Sequence, residues 1–154
     1  MQMPQPSEAH KQLEKLVGNW AGQEKIHPSP FAPQGGVATG RVQNRRSLDG
    51  FVVVQDYAQE RDGKTSFTGH GVFWFDAMRQ VYVMSWWDSF GSPVSEFVGG
   101  LDKGILTLSN VGPSGYSKAI FDIREGDHYG FRMEVSPDGA QWFAFLEGTY
   151  TRET

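Results

Sequence analysis

LVGNWAG, residues 16 to 22, is the stretch whose reading decides the fold. Gly18 and Trp20 form a Gly-x-Trp triplet. With 19 Gly and 5 Trp in 154 positions, chance alone would supply such a triplet about 0.6 times. Its weight therefore comes from its setting. It stands where a helical pattern ends and an alternating one begins, it opens a long series of strand-like segments, and Arg152 answers it after the last of them.

Upstream, Ser7 is placed to cap a helix. Ala9, Leu13, Leu16 and Val17 fall on one stripe, and Glu8, Lys11, Gln12, Glu14 and Lys15 cover the remaining faces. The spacing predicts a short amphipathic helix over about residues 7–17, ended by Gly18. A full capping box asks for Glu or Gln at position 10, where His10 stands, so the box is partial.

Downstream the period becomes two. Asp49-Gly50, Asp62-Gly63, Asp76 to Arg79, Asp102-Lys103-Gly104, Gly126-Asp127 and Pro137-Asp138-Gly139 punctuate the chain as hairpin turns. The segments between them predict strands at 19–27, 37–47, 51–60, 65–75, 80–87, 94–99, 105–109, 116–124, 128–136 and 141–151. PSPFAPQGG, running from Pro28 to Gly36, is too rich in Pro and Gly for a helix and reads as a loop at a barrel mouth, and residues 111–115 read as a second loop. No repeat and no low-complexity tract divides the chain, so residues 1–154 read as one domain, with the barrel over about 19–152. Of the ways to arrange such a meander, only closure removes exposed strand edges. The expected fold is all-β: an antiparallel up-and-down barrel of about ten strands, with the short N-terminal helix closing one end.

Sidedness is clearest near the C-terminus, where Tyr129, Phe131, Met133 and Val135 alternate with His128, Gly130, Arg132 and Glu134. The first set is expected inside. FVVV, GVFWF and VYVMSWW instead offer apolar residues to both faces. Something should cover their outer side, and a homodimer through the strands at 51–58, 71–75 and 81–87 is the expectation.

Composition limits the function. The formal charge is -4, and the longest basic run is Arg45-Arg46, which argues against a nucleic-acid partner. There is no Cys, which removes thiol chemistry and suits a reducing compartment. No stretch approaches the ~18 apolar residues of a membrane span, and the N-terminus lacks a leader pattern, so the expectation is a soluble, cytoplasmic protein. His10, His27, His70 and His128 are far apart in sequence and fit no metal-site spacing. Gly112-Pro113-Ser114-Gly115 is not a nucleophile elbow, and no Gly-rich run matches a phosphate loop.

With Gly18 and Trp20 opening the first strand and Arg152 ending the last, the chain resembles the calycins, the lipocalins and fatty-acid-binding proteins. The resemblance implies that Arg152 lies over the Trp20 ring and closes the base of the barrel, a structural role for Gly18, Trp20 and Arg152. HKQLEKLVGNWAG, the Pro-rich insert, FTGHGVFWFD and SWWDSFG together resemble the bacterial domain-of-unknown-function family 1579 over nearly the whole chain. That resemblance implies the barrel and no established activity. The nitrobindin-like haem barrels also begin with Leu-x-Gly-x-Trp, but their closing strand carries an iron-binding His. Here that strand is QWFAFLEGTYTR, with Phe145 near the ligand position, and haem is not expected. No cofactor is.

The leading expectation is therefore a non-catalytic barrel that binds a small apolar or amphipathic molecule in an aromatic-lined cavity. His70, Trp74, Trp86, Tyr57, Phe131 and Phe145 are its candidate ligand contacts. Arg41, Arg45, Arg46 and Arg132 include candidates for anchoring an acidic head, with solvated outer-face positions the expected home for most of them. The rival is an isomerase, cyclase or hydrolase that uses His70 as acid or base with Asp88 or an Arg as partner; His70 is the only catalytic candidate. On alternation His70 shares a side with Thr68, Val72 and Trp74. A third reading is a solid barrel acting through its dimer surface.

Overall fold

A computed structural model describes every residue except Phe31 and Thr154, so one position of the predicted Pro28–Gly36 loop lies outside the described residues. Ten strands follow one another as hairpins: β1 Gly18–Ile26, β2 Gly36–Ser47, β3 Val52–Arg61, β4 Lys64–Asp76, β5 Val81–Asp88, β6 Ser95–Asp102, β7 Ile105–Gly112, β8 Gly115–Asp122, β9 His128–Ser136 and β10 Phe143–Arg152. Each pairs antiparallel with its neighbours, and β10 returns to pair with β1, closing the barrel. The turn chemistry acts as expected: Asp62 (φ 53) and Gly63 (φ 77) both take the left-handed backbone that a two-residue hairpin requires. The predicted loop at 111–115 is tighter than expected, because β7 runs to Gly112 and β8 starts at Gly115.

The N-terminal segment is α1, Glu8–Gln12, continued by a 3-10 turn at Leu13–Leu16. His10 supplies the reciprocal half of the capping box that its side chain was not expected to provide, since the Ser7 N–H donates to His10 Nδ1 at 3.0 Å. Leu13 and Leu16 are buried under the barrel. The carbonyl of Leu16 accepts from Trp20 Nε1 at 2.9 Å and from Asn44 Nδ2 at 2.8 Å, and that of Ala9 accepts from the Tyr82 hydroxyl at 2.7 Å. These bonds satisfy carbonyls that a helix end leaves orphaned. They fix the helix as the floor.

Inward positions toward that floor are packed solid. Trp20, Val42, Val53, Phe73, Leu106, Phe121 and Tyr129 are all buried, each large side chain contributing about 1.5–3 kcal/mol. Toward the other end the inward Tyr57, Gln59, Trp86, Phe131 and Met133 keep accessible surface. The barrel is thus a cup with a filled base and a partly accessible upper half. No helix among the described residues is long and apolar enough to cross a membrane.

Candidate functional site: a buried carboxylate in the wall of the cup

β1 points Trp20, Gly22, Glu24 and Ile26 inward, which sets a carboxylate on an otherwise apolar face. Glu24 is 1% exposed. Tyr57 donates its hydroxyl to both carboxylate oxygens, at 2.8 and 2.6 Å, and Gln59 Nε2 donates to Oε1 at 3.0 Å. The Tyr150 hydroxyl makes a further short hydrogen bond to Oε2. Three strands converge here: β1 brings the acceptor, β3 brings Tyr57 and Gln59 from neighbouring inward positions, and β10 brings Tyr150. Glycines make the room. A Cβ on Gly40 would stand 2.4 Å from Glu24 Oε2, and one on Gly148 would stand 3.3 Å from Glu24 Cγ.

Burial pushes the Tyr57 and Tyr150 hydroxyls far above the ordinary phenol range, and the negative charge of Glu24 pushes them further. Both therefore remain donors, matched to a carboxylate that only accepts. No Lys, Arg or His pairs with Glu24 among the described residues. A carboxylate so placed is held by hydrogen bonds in place of a counter-ion, a costly arrangement to bury.

Beside the cluster lies the aromatic wall. Tyr57 and Trp86 approach at 6.3 Å between ring centres, Tyr57 and Phe67 at 6.2 Å, and Phe67 and Phe90 at 5.1 Å. Gly69 and Gly71 seat the Trp86 indole: a Cβ on Gly69 would lie 2.2 Å from its ring. Trp86 Nε1 donates to Asp88 at 2.9 Å, while the other Asp88 oxygen accepts from the Phe90 N–H at 3.0 Å, so Asp88 opens the following turn. Arg61, the last residue of β3, stands at the mouth against the Gly35-Gly36 pair, where a Cβ on Gly36 would fall 2.4 Å from its Nη2. Its one side-chain hydrogen bond among the described residues goes to the Gly35 carbonyl at 3.4 Å, and its guanidinium has no ion pair among them.

Of the residues singled out in the sequence, Tyr57, Trp86 and Phe131 face the cup, and Phe145 packs near the mouth with Ile26, Ala38 and Leu146. His70 and Trp74 do not. They share a side with Thr68 and Val72, as alternation requires, but that side is the outer one. The pairing that turns Phe73 and Trp86 inward turns His70 and Trp74 outward. His70 Nδ1 lies 2.8 Å from Asp56 Oδ1 with both side chains well exposed, and Trp74 Nε1 donates to Ser85 Oγ at 3.2 Å. The expectation of His70 as an acid or base inside the cavity is corrected accordingly. Its carboxylate partner is Asp56 on the surface, not Asp88. The four candidate arginines also lie outside the cup: Arg41 pairs with Glu60, Arg45 with Asp56, Arg46 with Glu14, and Arg132 with Glu134 and Glu147. Glu24, Gln59, Tyr150 and Arg61 were missed. The available signal was Glu24 itself, a charge at an inward position of the strand that Trp20 opens.

An open cleft of ≈ 870 Å³ borders β8, β9, β10, β1 and β2 beside Pro28 and Gln34. Two of its lining residues, Arg132 and Glu147, pair at 2.9 Å, and Asp122 of the lining pairs with Arg124. Among the described residues no three His, Asp or Glu converge as a metal ligand set.

Fold and site together define a small closed antiparallel barrel of ten strands with a floored base and a partly accessible upper half. The chain belongs to the family described as "Protein of unknown function (DUF1579)", which it matches over residues 5–152. No curated protein matches it in sequence. Among solved structures it is similar to Rv2717c from M. tuberculosis, at TM-score 0.70 and 14% identity over 96% of this chain and 99% of that one. It is also similar to the S-type phycobiliprotein lyase CPES from Guillardia theta, at TM-score 0.67 and 10% identity over 96% of this chain and 94% of that one. At these identities the likeness is one of fold alone.

Proposed function

We propose that the protein binds a small apolar or amphipathic molecule, without catalysis, in the upper half of the barrel. The observation that carries this reading is the change along the inner wall, from a fully buried base to partly accessible Tyr57, Gln59, Trp86, Phe131 and Met133 around the buried Glu24. Apolar walls supply the affinity, and a few convergent polar groups fix orientation. Gln59 and Tyr57, held in place by Glu24, are the groups available to do so, and Arg61 guards the entrance. One barrel of the same fold is a phycobiliprotein lyase, which supports a role for the cup without indicating its guest.

The test is native mass spectrometry of the purified protein with solvent extraction of any retained molecule, followed by titration with Nile red. Retained small molecules, or probe uptake with quenching of Trp86 that Trp86→Phe removes, are expected. A protein that arrives empty and leaves Nile red in water would overturn the reading.

A further inference from the structure

The outer surface of β3 to β6 carries an apolar face that the cup does not use. One row of paired positions crosses it: Arg45 on β2, Val54 on β3, Val72 on β4, Ser85 on β5 and Glu96 on β6. The adjacent row toward the base runs Val52, Trp74, Val83 and Val98. Val52, Val54, Val72, Trp74 and Val98 all keep accessible surface, and Trp87, on the row toward the mouth, is 43% exposed.

We propose that a second copy of this chain covers this face, related by a two-fold axis near Val72. The charges select that occupant. The row has a cation at one end and an anion at the other, each two strands from Val72, with small and apolar side chains between. A half-turn about an axis that lies in the interface plane and runs along the strand at Val72 sets the two faces against each other and reverses the row, and so lays Arg45 of each copy over Glu96 of the other. An isologous interface needs that self-complementarity. A foreign partner does not.

The ends of the row are also free to make the contact. Glu96 has no cation among the described residues, and the only carboxylate paired with Arg45, Asp56, is shared with His70. A guanidinium has five N–H donors, so Arg45 can serve Asp56 and a second carboxylate together. Curvature fits the same arrangement. With strands ~4.8 Å apart, Arg45 and Glu96 each lie about 10 Å from Val72, where two convex barrels have begun to diverge. Long side chains span the resulting gap, while the valines and Trp74 meet at the centre. The face is on the barrel's flank, so both mouths stay open.

Sedimentation equilibrium from micromolar to near-millimolar concentration tests this. The wild type is expected to dimerise. Glu96→Arg sets like charges against each other at both ends and is expected to raise the dissociation constant by about tenfold or more; the swap Arg45→Glu with Glu96→Arg restores pairing across the two-fold. Val72→Glu at the centre is expected to give monomers. Circular dichroism checks that each variant folds, and if Val72→Glu does not, the exposed Glu96→Arg carries the test. A wild type that stays monomeric throughout, or a dimer that tolerates Glu96→Arg unchanged, overturns the proposal.

Discussion

The guanidinium of Arg152 lies 4.2 Å from the centre of the Trp20 ring, so the last strand closes over the first. The same side chain donates to the Val17 carbonyl at 2.8 Å and to the Gly126 carbonyl at 3.1 and 3.0 Å. It therefore ties the end of the N-terminal segment, the β8–β9 connection and β10 into one seam. A Cβ on Gly18 would fall 2.3 Å from Arg152 Nη1, which is why glycine precedes this tryptophan. Arg152→Leu removes a partly exposed cation-π contact and these hydrogen bonds, and is expected to lower stability by about 1–3 kcal/mol in urea unfolding. Arg152→Lys recovers only part, because an ammonium lacks the planar fork.

Glu24 is the acceptor for Tyr57, Gln59 and Tyr150. Glu24→Leu leaves those donors buried or half-buried without it and is expected to cost about 2–4 kcal/mol. Glu24→Gln keeps the shape but turns one oxygen into a donor facing donors, so its loss is smaller while Nile red binding weakens. Equal stability of wild type and Glu24→Leu in urea would count against a hub at this position.

Gly69 leaves space for the Trp86 ring. Gly69→Ala forces the indole to move, at about 1–3 kcal/mol by analogy with overpacked cores. The emission spectrum should shift as Trp86 leaves its seat against Tyr57. Gly63→Ala, where a Cβ meets nothing within 4 Å, leaves that spectrum unchanged although its φ of 77° still strains the turn.

Alkali should act on the tyrosines cooperatively. Tyr57, Tyr82, Tyr129 and Tyr150 are four of the five tyrosines, and burial is the first cause that raises each above its ordinary value of 10.0. A group whose pKa is raised by folding adds stability that is present below the unfolded value and lost as pH climbs through the folded one. Stability should therefore fall as pH rises beyond about 10. Absorbance near the phenolate band should show these four ionising together with unfolding, and independent ionisation while the fold persists would contradict their burial.

Arg61 stands at the mouth with one long side-chain hydrogen bond and no ion pair among the described residues. If the guest is amphipathic with an acidic head, Arg61→Gln should weaken 1-anilinonaphthalene-8-sulfonate about tenfold while leaving neutral Nile red unchanged. Equal effects on both probes would assign Arg61 to the wall and not to charge recognition.

The order of strands, the floor helix, the hairpin turns and the Trp20 seam were legible in the sequence because each rests on local signals: a period of two, Asp-Gly turns, and a glycine that ends a helix. Tyr129, Phe131 and Met133 were assigned inward on alternation alone, and they lie there. Alternation could also say that His70, Val72 and Trp74 share a side. It could not say which side, because β3, β4 and β5 are apolar on both faces and the hydrophobic pattern there does not distinguish core from flank. Only the closure of the barrel decides it, by turning Phe73 and Trp86 to the interior and His70 with them to the surface. The same closure unites Glu24 with Tyr57 and with Tyr150, which is 126 residues distant. Sequence determined the elements and their alternation; the ring of strands decided what faces what, since contact across a barrel depends on register around the whole circuit and not on any segment of it.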